Sequence, residues 1–207
     1  MHIPKNYRED DLQKILAFLR ANEFATLVVC DGGKPVASHL LMEVAEQDGN
    51  IVVYSHMSRS NPLWKRLDPQ REALVMFLGP HAYISATWYN HVNVPTWNYI
   101  SVHAYGRPEL ITDHDQVYAL LSRLVMRHEG ATDYRMESLP QDFVEREMKG
   151  VAAFKIKLTR LEAAYKLSQN RNDDDYRNII IELERRDDDL SAGVAAAMRQ
   201  NRAVEAR

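Results

Sequence analysis

A single cysteine, Cys30, among 207 residues excludes an internal disulfide and any multi-thiolate metal site. It stands in the apolar run FATLVVC, where a thiol packs as a small hydrophobe, so Cys30 is expected in the core. No apolar stretch approaches the roughly 18 residues of a membrane-spanning helix, and the opening MHIPKNYREDD lacks the apolar segment of a secretory leader. A soluble cytoplasmic protein with no membrane partner is the resulting expectation. There is no basic excess either: the net charge is −3, which gives no general field toward nucleic acid. Nothing repeats internally, and no GxGxxG, Walker-type or GxSxG loop occurs, so any nucleotide or nucleophile chemistry uses another device. His39, His56, His91 and His103 show no i, i+4 pairing, and no metal site is expected.

What the chain does carry is an unusual aromatic stretch at residues 83–106, YISATWYNHVNVPTWNYISVHAYG. Two of the three Trp, four of the ten Tyr and two of the eight His fall within it. Its β-prone runs, 83–89 and 96–105, flank a polar bridge with Asn90, His91, Asn93 and Pro95, which reads as a hairpin. Aromatic planes beside amide and imidazole groups suit a flat ligand with polar edges, and they also suit an ordinary half-buried strand.

Around this hairpin the chain reads as β-rich. Leu12, Ile15, Leu16, Phe18 and Leu19 after Glu9-Asp10-Asp11 predict a helix lying on the sheet. Strands are predicted at 24–30, 35–44, 51–55, 72–78 and 151–158, with a tight turn at Asp31-Gly32-Gly33 and a break at Gly79-Pro80. Thr112 and Asp115 resemble a capping box for a helix ending near Gly130, and Pro140 opens another, closed by Gly150. The tail from Asn172 predicts an amphipathic helix, then a second one capped by Ser191, with the last residues disordered. Six antiparallel strands with helices at the connections, and no βαβ rhythm, point to a mainly β small barrel.

The strand at 51–55 runs into Ser55-His56-Met57-Ser58-Arg59-Ser60-Asn61 and a short helix at 62–67 with Lys65. Hydroxyls, backbone N–H groups and two cations at a helix start can hold a phosphate, and the same residues also serve as a plain helix cap.

YISATWY, VPTWNYISVHAYG, YSHMSRSNPLWK and KLSQNR, occurring in that order, resemble the PaiB-type proteins, FMN-binding negative transcriptional regulators. The resemblance runs from the IPKNY opening to about Leu190. It implies a six-stranded antiparallel split β-barrel over residues 1–171, a helical extension over 172–207, and a homodimer with FMN at or near the subunit interface. By likeness to the wider pyridoxamine-phosphate-oxidase-like fold, the phosphate lies beside Ser58, Arg59, Ser60 and Lys65. Ser38 and His39, with Tyr54, Ser55 and His56, approach the ribityl chain and ring, and Trp97, Asn98, Gln169 and Arg171 face the flavin across the dimer. Those oxidases place an Arg-Lys pair where this chain has Arg59-Ser60, which removes one charge-assisted contact worth about 1.5–3 kcal/mol.

The resemblance also brings DNA as a partner, although the residues show no helix-turn-helix and no basic stripe beyond Arg199, Arg202 and Arg207 on the final helix. Two further functions fit the same residues: a flavin-dependent oxidoreductase acting on a small molecule, and a flavin- or haem-binding protein without turnover. No residue stands out as a catalytic acid or base.

Overall fold

The computed structural model describes residues 1–202; the expected disorder of the last residues, and Arg207, fall outside that range. Along the chain come β1 (Arg8–Glu9), α1 (Leu12–Ala21), β2 (Phe24–Asp31), β3 (Lys34–Leu41), β4 (Glu43–Gln47) and β5 (Asn50–Ser58). They are followed by β6 (Ala73–Ile84), β7 (Thr96–Ile111), α2 (His114–His128), α3 (Gln141–Lys149), β8 (Val151–Lys166), α4 (Asp173–Glu184) and α5 (Asp189–Asn201). The strands form one sheet in the order β3-β2-β6-β7-β8-β5-β4, with β1 on β8. It does not close, and it is mainly β with helices between and after the strands, the architecture of a split barrel.

Eight strands, rather than six, occur among the described residues. The run at 35–44 divides into β3 and β4 at Met42, where the chain changes partner: Leu41 stands opposite Phe24 of β2 and Glu43 opposite Tyr54 of β5, while the Met42 N–H still donates to the Glu23 carbonyl at 2.7 Å in the β2 register. β1 adds a short pairing, Arg8 opposite Ala164. Gly79-Pro80 does not end a strand: β6 passes through it to Ile84, and its burial alternation slips by one position between Gly79 and Ala82, as at a bulge. The expected strand at 83–89 therefore stops at Ile84, and a 3₁₀ turn, Ala86–Trp88, follows. β8 continues through RLEAAYK to Lys166.

Local chemistry explains most of the rest. Gly32 and Gly33 have φ of 55° and 83°, the paired left-handed conformations of a two-residue hairpin turn, and they set Asp31 opposite Lys34. Alternation along β2 buries Ala25, Leu27 and Val29, which turns Cys30 to the opposite face; the thiol is exposed, not in the core. Asp113, rather than Thr112, caps α2 by accepting from the Gln116 N–H at 2.9 Å. Asp188, rather than Ser191, caps α5, accepting from the Ser191 N–H at 2.7 Å.

Two compact units emerge from the internal packing. One comprises Met1–Phe18, Phe77–His103 and the chain from Glu162 onward. Its core holds Phe77, Ile84, Val102 and Leu167, with Tyr176, Ile179 and Leu183 of α4 and Val194 and Met198 of α5. The tail helices thus pack on their own chain: the Tyr176 hydroxyl donates to the Met198 carbonyl at 2.6 Å, and Asn178 donates to that of Trp88 at 2.6 Å. The other unit comprises Leu19–Met76 and Ala104–Leu161. Leu27, Val53, Val75, Phe154 and Ile156 fill its core. Gly106 lies so close to β8 that a Cβ there would meet the Lys157 carbonyl oxygen at 2.4 Å. No helix among the described residues is long and apolar enough to cross a membrane.

Candidate functional site

In the second unit the site is built on β5 and the turn after it. Strand alternation puts Tyr54, His56 and Ser58 on one face and Ser55 on the other, so these four residues do not line one surface. Ser55 is fully buried, and its hydroxyl donates to the Leu41 carbonyl at 2.7 Å. β5 pairs with β8, Ser58 standing opposite Val151, and the Arg59 N–H donates to the Gly150 carbonyl at 2.8 Å. That bond anchors the start of the turn.

Within the turn, the Ser58 and Ser60 hydroxyl oxygens lie 2.8 Å apart, and the Ser60 N–H donates to Ser58 Oγ at 3.2 Å. Asn61 accepts from the Leu63 N–H at 3.0 Å and donates to Ser38 Oγ on β3 at 2.9 Å. The following helix is only a 3₁₀ turn, Pro62–Arg66. With one of its few free N–H groups already capped, it offers no helix terminus to an anion, and recognition falls to side chains instead.

The cations present themselves accordingly. The Arg59 guanidinium carbon sits 5.1 Å from the Trp64 ring centre and the Lys65 ammonium 5.6 Å from it. Trp64 is fixed by donating its indole N–H to the Arg59 carbonyl at 3.0 Å. Neither cation is ion-paired with a carboxylate among the described residues, whereas neighbouring Arg66 pairs with Asp31 at 3.1 Å. Two positive charges held beside one indole, with two hydroxyls nearby, can bind a phosphate.

Other residues expected at the site have partners of their own. His39 Nδ1 lies 2.9 Å from Thr26 Oγ1 across the β2–β3 pair. The Tyr54 hydroxyl donates to Gln47 Oε1 at 2.6 Å, and the Arg123 guanidinium lies 5.6 Å from its ring while making a fork of two 2.9 Å bonds to Glu43. His56 differs: its Nδ1 is buried without a partner, and burial lowers its pKa, favouring the neutral ring.

The first unit holds the remaining expected residues. Trp97 is half exposed, 5.8 Å from the His81 ring and 6.2 Å from that of Tyr83, which makes an aromatic platform on β6 and β7. Asn98 points the opposite way and is fully buried against Ser168. Gln169 accepts from the Leu167 N–H at 2.8 Å and donates to the Tyr165 carbonyl, which closes the turn after β8. The Arg171 guanidinium lies 4.7 Å from the Tyr89 ring centre. Lys166 donates to Thr96 Oγ1 at 2.6 Å, and burial, then the Arg171 charge, lowers its pKa.

Sequence reading singled out Arg59 and Lys65 without seeing Trp64, the residue that organises both, although it stood inside the YSHMSRSNPLWK motif. Asn61 was passed over as well, and Asn directly before Pro is a recognisable cap signal. The half-buried His81 lay outside the aromatic stretch read from the sequence, and it joins Tyr83 and Trp97 because β6 runs past Pro80.

An open antiparallel split barrel whose second unit holds two cations without a carboxylate partner among the described residues, beside one indole and two paired hydroxyls, is able to hold a phosphorylated aromatic cofactor. Known proteins agree. Residues 1–160 match the family described as "Putative FMN-binding domain". The Bacillus subtilis protein called protease synthase and sporulation protein PAI 2 is 38% identical over 200 residues, 96% of each chain. Among solved structures, the flavocytochrome Anf3 from Azotobacter vinelandii superposes with a TM-score of 0.59 at 19% identity, covering 85% of this chain and 78% of that one. An FAD and heme binding protein from Mycobacterium smegmatis gives 0.58 at 16% identity, covering 83% and 79%. The chain belongs to the FMN-binding family that includes PaiB, and FMN is its cofactor.

Proposed function

We propose that this chain is a PaiB-type negative transcriptional regulator that works as a homodimer, with split-barrel residues 1–171 carrying the FMN and residues 172–207 as a helical extension. The observation that carries the flavin assignment is the pair of cations at Trp64, Arg59 and Lys65, neither matched by a carboxylate among the described residues. In this reading they hold the phosphate together with Ser58 and Ser60. Ser38, His39 and Tyr54 contact the ribityl chain and ring, and Trp97 and Arg171 face the flavin across the dimer; His56, whose ring lines a separate cavity, is not among these contacts. Ser55, Asn98 and Gln169 act through the scaffold, since their polar groups already bond to the protein itself. When bound, FMN supplies reversible reduction at its ring, the state a regulator can report. Family membership and the 38% identical Bacillus relative support this reading.

DNA contacts in this reading come from outside the end of α5. Arg199 forks onto Glu184 at 2.8 and 2.9 Å, and Arg202 is paired with Asp173, so both charges are neutralised within the chain. Titration of FMN fluorescence against the wild type and Arg59→Ala tests the flavin half, with a roughly ten- to hundredfold weakening expected. Gel shifts over a salt series test the regulator half: a sequence-selective shift that weakens steeply with salt supports it, and no selective shift removes it.

A further inference from the structure

One cavity in the second unit is not accounted for by the turn that holds Arg59. It has a volume of about 320 Å³ and lies between β5, α2, α3 and the segment before α3. That is the lower end of the range for small-molecule sites, about 300–1,000 Å³, and fits a molecule of one or two rings. Leu121, Tyr134, Met136, Phe143 and Met148 give it apolar, sulfur-containing and aromatic walls. Methionine sulfur and aromatic edges both favour an aromatic occupant. Tyr134 and Phe143 remain 46% and 39% exposed, as expected of side chains that border an opening rather than finish a core.

The polar content of this lining is sparse and specific. His56 contributes an imidazole that makes no hydrogen bond to any described residue, and its Nδ1 is buried. Such a ring normally finds a partner when buried, so a polar group on an occupant would satisfy it. Burial keeps the ring neutral, able both to donate and to accept. Glu147 is the one carboxylate of the lining, already paired with Arg146 at 3.2 Å, and it disfavours an anionic occupant.

We propose that this cavity is a binding site for a small, uncharged aromatic molecule bearing one hydroxyl, whose hydroxyl bonds to the His56 imidazole while its ring packs on Met136, Met148 and Phe143. The site does not depend on the flavin assignment. Its occupant is an effector or substrate distinct from FMN, whose phosphate would find no cation in this lining.

Titrations followed by amide NMR on the full chain, with p-cresol and toluene as probes, test it. Both should shift resonances of α2 and α3, with p-cresol binding roughly five- to tenfold more tightly, the value of one hydrogen bond. His56→Phe should bind both equally. If that variant does not fold, His56→Gln, which keeps a donor and an acceptor, should retain the preference. Leu121→Trp, which fills the cavity, should abolish binding of both. Absence of binding by either probe, binding unaffected by Leu121→Trp, or equal affinity for the two probes in the wild type would overturn the proposal. So would competitive displacement of p-cresol by FMN, which would assign the cavity to the flavin.

Discussion

Asn98 and Ser168 face each other in a site without solvent exposure: the Asn98 amide nitrogen donates to Ser168 Oγ at 3.0 Å, and its oxygen lies 3.1 Å from the same hydroxyl. Ser168 reaches this position with φ of 61°, a left-handed backbone that few side chains adopt. The pair ties β7 to the turn that closes β8.

Removing one partner leaves the other buried and unsatisfied, which costs about 1–3 kcal/mol. Asn98→Ala is therefore expected to lower the unfolding free energy by that amount, read from urea unfolding, while FMN affinity changes less than in Arg59→Ala. A variant of wild-type stability with lost FMN binding would instead make Asn98 a direct ligand.

Gly106 makes a sharper structural prediction. A Cβ would lie 2.4 Å from the Lys157 carbonyl oxygen and 2.7 Å from Ile156 Cγ2, and backbone on a paired strand has little room to withdraw. Gly106→Ala should cost at least the roughly 1–3 kcal/mol typical of overpacking. Equilibrium unfolding checks this, and an unchanged midpoint would show that β7 and β8 separate easily.

Stability should also depend on pH through His56. Burial holds its pKa below 6.5, so the unfolded chain takes up a proton there at higher pH than the folded one. The contribution is intact above about pH 6.5, falls as pH drops toward the folded value and levels off below it. His103 shifts in the same direction, mainly by burial. His56→Phe should show a shallower acid loss of stability than the wild type in urea unfolding between about pH 6.5 and 5. Identical slopes would mean that His56 is not held neutral.

How legible these features were in the sequence depended on how local their causes are. Gly32-Gly33 defines the β2–β3 hairpin because the turn needs two left-handed residues, a property of those two positions alone. The α1 pattern of Ile15, Leu16, Phe18 and Leu19 was readable for the same reason, and all four are buried. The break at Met42 was not, because it marks where the chain passes from pairing with β2 to pairing with β5, which only the fold sets. Pro80 misled because a proline usually ends a strand, and here β6 runs on with its burial alternation shifted by one position, with α5 passing so close that a Cβ on Gly193 would meet Pro80 Cβ at 2.8 Å. At the site, charge type identified Arg59 and Lys65 locally. That both gather on Trp64, and that Asn98 turns inward while Trp97 turns out, are consequences of packing and register.

The most direct test compares FMN with riboflavin, which has the same ring and ribityl chain but no phosphate. If Arg59 and Lys65 hold the phosphate, flavin fluorescence titrations should show FMN binding roughly tenfold or more tighter than riboflavin in the wild type. The Arg59→Ala, Lys65→Ala double variant should then bind the two equally. Equal affinity for both flavins in the wild type, or a preference for FMN that survives in the double variant, would contradict the assignment.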